Sequence, residues 1–133
     1  MERGSGTGII LLNSRRKVLL FLRDDKSSIP FPNMWDLLGG LLDSGESPED
    51  GIRREIREEI EIELGSINFF RKYNFENRNI YIFWKEIDLD LADTKLNEGQ
   101  RLEYFNEDDI SKIRLAFNFN LILHDFFNFL NQS

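Results

Sequence analysis

Near-continuous apolar runs mark the first two predicted strands of the chain. Residues 8–13 read GIILLN and residues 17–23 read KVLLFLR, with a short turn at 14–16 between them. Strands with apolar side chains on both faces of the pleat are typical of a sheet that is covered on both sides. The pattern predicts four further strands, at 35–38, 67–75, 79–87 and 102–105.

Two helices are predicted among these strands. Ser47 can cap the first helix, Pro48 suits its first position, and the helix is expected to run to about Ile62. Isoleucines one turn apart form its buried stripe, namely Ile52, Ile56 and Ile60. The second helix is expected to begin near Asn118 and to bury Phe119, Leu123, Phe126, Phe127 and Leu130. The order of elements predicts an α/β fold, an α/β/α sandwich with a mixed β-sheet between helices.

Length and composition indicate a single domain over residues 1–133, with residues 1–6 expected to be flexible. The chain contains no cysteine and no apolar run near the ~20 residues that span a bilayer, so we expect a cytoplasmic protein without membrane contact. The net charge of −7 argues against a nucleic-acid polymer as partner, because such proteins need cationic surfaces. A small anionic ligand stays compatible if a metal cation lies between it and the acidic side chains.

Three glutamates share one face of the first predicted helix. Glu55, Glu58 and Glu59 stand at i, i+3 and i+4, so their carboxylates lie close together. Oxygen ligands at this density suit Mg²⁺ or Mn²⁺. Gly51 lies one turn earlier and would leave room for a close ligand. Taken alone, the same stretch is more often a solvated helix face with ion pairs, so the surrounding spacing has to decide.

That spacing resembles the signature of the Nudix, or MutT-like, hydrolases, which is G-x5-E-x7-R-E-U-x-E-E-x-G-U with U aliphatic. The matching residues are Gly40, Glu46, Arg54, Glu55, Ile56, Glu58, Glu59 and Ile62. Eight of the nine specified positions therefore agree, and the exception is Glu61, where the family has glycine. The missing glycine concerns the end of the helix and not the positions that bind metal in the family.

The resemblance implies an Mg²⁺ site, with Mn²⁺ as the alternative ion. By position in the motif, Glu55, Glu58 and Glu59 would be the metal ligands, together with the carbonyl of Gly39. Arg54 would orient the glutamates together with Glu46, which precedes the helix. Hydrolysis of a nucleoside diphosphate linked to another group would follow from this arrangement.

The group that takes the proton from water varies within the family. Glu58, Glu59 and a glutamate of a later loop are all candidates, and Glu98 is the residue of this chain in such a loop. The alternative, a solvated acidic side chain in a polar loop, explains Glu98 equally well.

The substrate-binding residues are the least determined part of the sequence. Arg23 is a candidate phosphate contact, Trp35 a candidate stacking surface and Asn118 a candidate nucleobase contact. Each has a structural alternative: a surface charge for Arg23, a core aromatic for Trp35 and a helix cap for Asn118.

A nucleoside triphosphate pyrophosphohydrolase is the favoured activity, because the chain is small and has no proline after Pro48. ADP-ribose hydrolases of the family tend to carry a proline in that region. Hydrolysis of ADP-ribose or of a dinucleoside polyphosphate, and a non-catalytic nucleotide-binding module, are the alternatives. The expected partner is a small nucleotide or nucleoside diphosphate derivative, and the protein is expected to be a monomer or a homodimer.

Overall fold

The computed structural model describes residues 4–132. Within this range the chain forms the strands β1 (Gly6–Leu12), β2 (Val18–Leu22), β3 (Trp35–Asp36), β4 (Leu38–Leu41), β5 (Asn68–Phe75), β6 (Arg78–Glu86) and β7 (Arg101–Phe105). The α-helices are α1 (Pro48–Ile60), α2 (Glu107–Ser111) and α3 (Phe119–Asn131), and 3₁₀ turns lie at Leu91–Asp93 and Ala116–Asn118. In the same range no helix is both long and apolar enough to cross a membrane.

All seven strands join one mixed sheet around β1. The main order is β3-β2-β1-β6-β5, while β4 also pairs with β1 and β7 also pairs with β2. The pairing of β1 with β6 is parallel and the other pairings are antiparallel. The predicted α/β fold with a mixed sheet between helices is confirmed.

Two apolar cores lie on opposite faces of the sheet, and alternate residues of β1 point into them. Ile9 and Leu11 pack with the isoleucine stripe of α1, whereas Ile10 and Leu12 pack with α2 and α3. The stripe of α1 is fully buried, as predicted: Ile52, Ile56 and Ile60. The double coverage explains why the inner strands are apolar at consecutive positions.

The strand predicted at 35–38 is in fact two short strands with different neighbours. Trp35 of β3 is paired with Leu22 of β2, and Gly39 of β4 is paired with Gly8 of β1. The chain therefore steps from one neighbour to the other before it reaches α1. This step requires Gly39, whose φ is +149° and where an added Cβ would lie 2.1 Å from the Thr7 carbonyl oxygen.

Helix α1 ends at Ile60, two residues earlier than predicted. Glu61 follows in the left-handed region with φ 57° and ψ 43°, and its amide donates to the Arg57 carbonyl at 3.1 Å. This is the position at which the Nudix signature has glycine. A non-glycine residue in this conformation costs roughly 1–2 kcal/mol, so the contacts of Glu61 are of interest and are described below.

The region before α3 differs most from the prediction. Asn118 holds the N-cap position of α3, but it is left-handed and its side chain makes no capping hydrogen bond with the described residues, so the predicted cap is wrong. The neighbouring Asn120 ties this segment together instead. Its Oδ1 accepts from the Leu115 amide at 2.7 Å and its Nδ2 donates to the Ile113 carbonyl at 2.8 Å. Helix α2, which was not predicted, has a capping box formed by Asn106 and Asp109.

The first residues of the described range take part in the sheet. Gly6 is paired with Leu41 and with Ile80, and the Ser5 carbonyl accepts from the Leu42 amide at 2.9 Å. Residues 1–3 lie outside the described residues, so the expectation of flexibility there stays a prediction.

Replacement of Gly39 by alanine tests the step between β3 and β4. We expect Gly39→Ala to lower the free energy of unfolding by about 3 kcal/mol or more, because the Cβ meets backbone atoms and φ is unsuited to alanine. Gly45→Ala is the matched control: φ is +78° there and no atom lies within 4 Å of the added Cβ. Its expected loss is about 1–2 kcal/mol. Urea unfolding measures both, and equal losses would contradict the account.

Candidate active site

Glycines bring the first turns of α1 close to the sheet. A Cβ on Gly40 would lie 2.6 Å from the Glu55 Cδ, so only glycine lets this carboxylate rest on β4. Gly51 serves packing and not a ligand, contrary to the expectation from the sequence. An added Cβ there would meet Leu42 Cδ2 at 2.2 Å and Glu46 Oε1 at 3.2 Å. The loop from β4 to α1 therefore closes over Gly51.

Arg54 joins the acidic residues of the loop and the helix. It forms two charge-assisted bonds with Glu46, Nε to Oε2 at 2.8 Å and Nη2 to Oε1 at 2.9 Å. Nη1 donates to Glu55 at 2.9 Å and to Glu58 at 3.3 Å, and Nη2 also donates to the Leu41 carbonyl at 3.1 Å. The hydrogen bonds from Arg54 lower the pKa of Glu46 to about 2, and the bonds with Glu46 raise the pKa of Arg54. The guanidinium pairs with Glu46 through two parallel bonds, and this bidentate geometry fixes its orientation towards Glu55.

Glu59 lies at the bottom of the cluster with 2% of its surface exposed. Its Oε1 accepts from the Gly39 amide at 3.1 Å. Burial, and then the charges of Glu55 and Glu98, raise the pKa of Glu59 to about 9. Its surroundings therefore disfavour the ionised form of this carboxyl, and an added positive charge would stabilise that form.

Glu55 and Glu58 differ in their surroundings. Burial raises the pKa of Glu55, although the bond from Arg54 opposes that rise. The Glu58 side chain is 60% exposed, and Arg54 is its ion-pair partner. Helix α1 thus presents one deeply buried carboxyl, one half-buried and one exposed along the same face.

The donor set fits a hard divalent cation. The cluster offers only carboxylate and carbonyl oxygens, the ligands that Mg²⁺ and Mn²⁺ prefer. The pKa values of Glu55 and Glu59 are raised, so their ionised forms lack compensating charge. Among residues 4–132 no group of three or more histidine, cysteine or acidic side chains stands in a metal-binding arrangement. Arg54 Nη1 lies between Glu55 and Glu58. To bind a metal together with Glu55 and Glu59, the exposed side chain of Glu58 would have to turn towards them.

Glu98 lies in the loop before β7, which is bound to the end of α1. Its negative charge contributes to the raised pKa values of both Glu59 and Asp36. The chain on either side of Glu98 is bound to α1 and to β2, through Asn97 and Gln100 respectively. The structure therefore places the loop that carries Glu98 beside the end of α1, although the two segments are far apart in the sequence.

Asp36 is a buried acidic residue that was not identified from the sequence. Its Oδ2 accepts from Arg23 Nη1 at 2.9 Å, and its Oδ1 is buried without a hydrogen-bond partner among the described residues. Burial raises its pKa to about 7 even though Arg23 opposes the rise. A lone aspartate inside the apolar stretch that precedes Gly39 was the available signal.

The three candidate substrate residues lie in different settings. Arg23 donates to the Pro30 carbonyl and to Asp36, and its guanidinium stacks over Phe117 at 5.0 Å. Trp35 is half-buried and packs edge-on against the Phe105 ring at 4.8 Å. Asn118 lines an open pocket of about 360 Å³, and none of that pocket's lining residues belongs to the carboxylate cluster. Their roles in substrate binding stay predictions.

Comparisons with known proteins agree with the geometry. A family model described as the NUDIX domain matches residues 2–126. The chain therefore belongs to the Nudix family, and the resemblance seen in the motif is confirmed. The chain is 35% identical over 69 residues to a Nudix hydrolase of Deinococcus radiodurans, covering 51% of this chain and 40% of that protein.

A second relative and a solved structure extend the comparison. The nucleoside triphosphatase NudI of Escherichia coli is 41% identical over 51 residues, which cover 38% of this chain and 35% of NudI. The matches thus span less than half of either curated relative. In a study of MutT from Aliivibrio salmonicida and Vibrio cholerae, a structure with TM-score 0.77 and 21% identity covers 93% of this chain and 96% of its own. That likeness shows the fold.

The buried Asp36 predicts a distinct dependence of stability on pH. Its pKa is raised on folding from 3.8 to about 7, so the stabilising contribution is complete below pH 3.8 and is lost as the pH rises through 7. We expect the difference in unfolding free energy between wild type and Asp36→Asn to fall with pH in this window. The steepest slope is about 1.4 kcal/mol per pH unit. Urea titrations in chelator at several pH values measure it, and parallel profiles would contradict the assignment.

Proposed function

We propose that this protein hydrolyses a phosphoric anhydride bond of a nucleoside diphosphate derivative with Mg²⁺ or Mn²⁺, and that a nucleoside triphosphate is the favoured substrate. The observation that carries the proposal is the Arg54 network, which holds Glu46, Glu55 and Glu58 around one guanidinium. Membership in the Nudix family supports the reaction class. The match to a nucleoside triphosphatase supports the substrate class.

The residues that would hold the metal are Glu55, Glu58 and Glu59, with the Gly39 carbonyl. The bound ion would neutralise charge on the phosphoryl oxygens and lower the pKa of water. Arg54 orients Glu55 through a hydrogen bond, and its bidentate bond with Glu46 fixes the position of the guanidinium. The Gly39 amide orients Glu59 through the bond to Oε1.

Glu98 is our candidate for the group that accepts the proton from water. Glu58 and Glu59 are both assigned to the metal, whereas Glu98 is exposed and approaches the cluster from outside the helix. In the reaction the water oxygen bonds to phosphorus while its proton passes to Glu98. The anhydride P–O bond breaks and the leaving phosphate group departs with the electron pair.

Aromatic side chains beside Arg23 form our candidate nucleobase surface. Phe31 and Phe117 contact edge to face at 4.6 Å, and Arg23 lies over Phe117 while it pairs with Asp36. Asn118 follows directly on Phe117. Phe31 and Phe117 both have positive φ, at 50° and 56°, and backbone strain of this kind clusters at ligand sites. This surface is connected to the carboxylate cluster through Asp36.

A non-catalytic nucleotide-binding module is the weaker reading of the same site. Such a module has no need for three carboxylates on one helix face, two of which have raised pKa values. The raised pKa values show that the ionised forms of Glu55 and Glu59 are destabilised. A metal-dependent reaction explains why such residues are present, and nucleotide binding without a metal does not.

Metal-dependent turnover tests the proposed function. We expect wild type with Mg²⁺ or Mn²⁺ to hydrolyse at least one compound in a panel of nucleoside triphosphates, ADP-ribose and dinucleoside polyphosphates. Glu59→Gln and Glu98→Gln are each expected to lower kcat by about 10²-fold or more. Glu63→Gln is the matched control, because Glu63 is an exposed glutamate just beyond α1 that pairs with Arg57, and it should keep kcat within about twofold.

No turnover of any panel member by wild type would refute the proposed reaction. Full activity of Glu98→Gln alone would remove Glu98 from the mechanism and leave Glu58 and Glu59 as the remaining candidate bases. Chromatographic quantification of the phosphorylated products, measured at saturating metal, separates these outcomes for every member of the panel.

A further inference from the structure

Glu61 makes specific contacts with the loop that carries Glu98. Its Oε2 accepts from Asn97 Nδ2 at 3.0 Å, and its Oε1 lies 3.7 Å from Lys95 Nζ. A glycine, which the Nudix signature has at this position, would end the helix without strain but would offer neither contact. Glu61 therefore adopts a strained left-handed conformation, and its side chain connects the end of the helix to the loop that carries Glu98.

Asn97 binds the end of α1 at two further points. Its amide donates to the Glu59 carbonyl at 2.8 Å, and its Nδ2 donates to the Glu58 carbonyl at 2.9 Å. The last carbonyls of a helix have no partner within the helix, so Asn97 satisfies two of them. Because Nδ2 has two hydrogens, the Glu58 carbonyl and Glu61 together engage both and fix the orientation of the side chain.

The other side of Glu98 is anchored to β2. The Gln100 amide donates to the Leu22 carbonyl at 2.8 Å, and its Nε2 donates to the Arg23 carbonyl at 2.7 Å. Gly99 has φ +89°, and a Cβ there would lie 2.7 Å from the Leu22 carbonyl oxygen. Glu98 is therefore held between an anchor on the helix and an anchor on the strand, and only the helix anchor involves a residue that departs from the signature.

We infer that Glu61 is a positioning residue that, through Asn97, fixes Glu98 against the carboxylate cluster. The inference rests on the proposed function, in which Glu98 accepts the proton from water. A structural consequence follows that does not depend on activity. The glycine of the signature, restored here, would remove one of the three contacts between Asn97 and the end of α1, together with the Lys95 ion pair, and so loosen the loop at 95–98 while the helix ends as before.

Two substitutions of Glu61 separate positioning from stability. Glu61→Gly removes the left-handed strain, so the Tm should stay or rise by about 2–4 °C, whereas kcat should fall about tenfold or more with KM within about twofold. Glu61→Gln keeps an oxygen acceptor for Asn97 and should restore kcat to within about twofold of wild type. In an Asn97→Ala background, Glu61→Gly should cause little further loss of kcat, because the only contact of Glu61 with the loop that remains there is the exposed 3.7 Å ion pair with Lys95.

Hydrogen exchange gives a readout that is independent of turnover. Peptides covering residues 94–100 should exchange faster in Glu61→Gly than in wild type or Glu61→Gln, while peptides covering the loop at 24–30 should be unchanged. Unchanged exchange in Glu61→Gly would overturn the inference, whether or not the protein is active. Loss of kcat and Tm together in both Glu61 variants would also overturn it, since that pattern marks a structural role. If wild type is inactive but residues 94–100 exchange faster in Glu61→Gly, the proposed function is refuted and the structural role of Glu61 in holding the loop is supported.

Discussion

The guanidinium of Arg54 is the constraint on which the site depends. Helix α1 places carboxylates on one face, where their mutual repulsion and burial make the ionised forms costly. Arg54 offsets part of that cost and fixes geometry, because its planar donors engage Glu46 at two points and still reach Glu55 and Glu58. The single positive charge of Arg54 does not neutralise all of these carboxylates, so the cluster can bind a further cation. The oxygen ligands favour a hard divalent ion.

The sheet provides the rigid side of this arrangement. Strand β4 lies against the central β1 because Gly39 has no side chain, and the missing side chain of Gly40 lets Glu55 rest on the strand. Glu59 is held there by the hydrogen bond from the Gly39 amide. The apolar stripe of α1 fixes the helix on the same face of the sheet. The glutamates of α1 thereby lie against β4, and the loop with Glu98 is bound to the end of the same helix through Asn97. Packing and chemistry thus share one helix, with isoleucines on one side and glutamates on the other.

Local patterns predicted much of this and missed what depends on distant residues. The isoleucine spacing, the Ser47 cap and the motif spacing are read within one helix, and the structure agrees with them. The pair of Arg23 with Asp36, and the contact of Glu61 with Asn97, join separate parts of the chain and leave no periodic signal. The capping role considered for the Asn118 side chain is wrong because Asn118 is left-handed, and the segment before α3 is held by Asn120 instead.

The central claim is that α1 carries a cation site built from its glutamates, and metal binding tests it most directly. Mn²⁺ titration, with the free ion followed by electron paramagnetic resonance, should show saturable binding to wild type and to the control Glu63→Gln. Binding should weaken at least about tenfold in Glu55→Gln, whose carboxylate lies against Gly40. Equal Mn²⁺ affinity in wild type and Glu55→Gln would contradict the account.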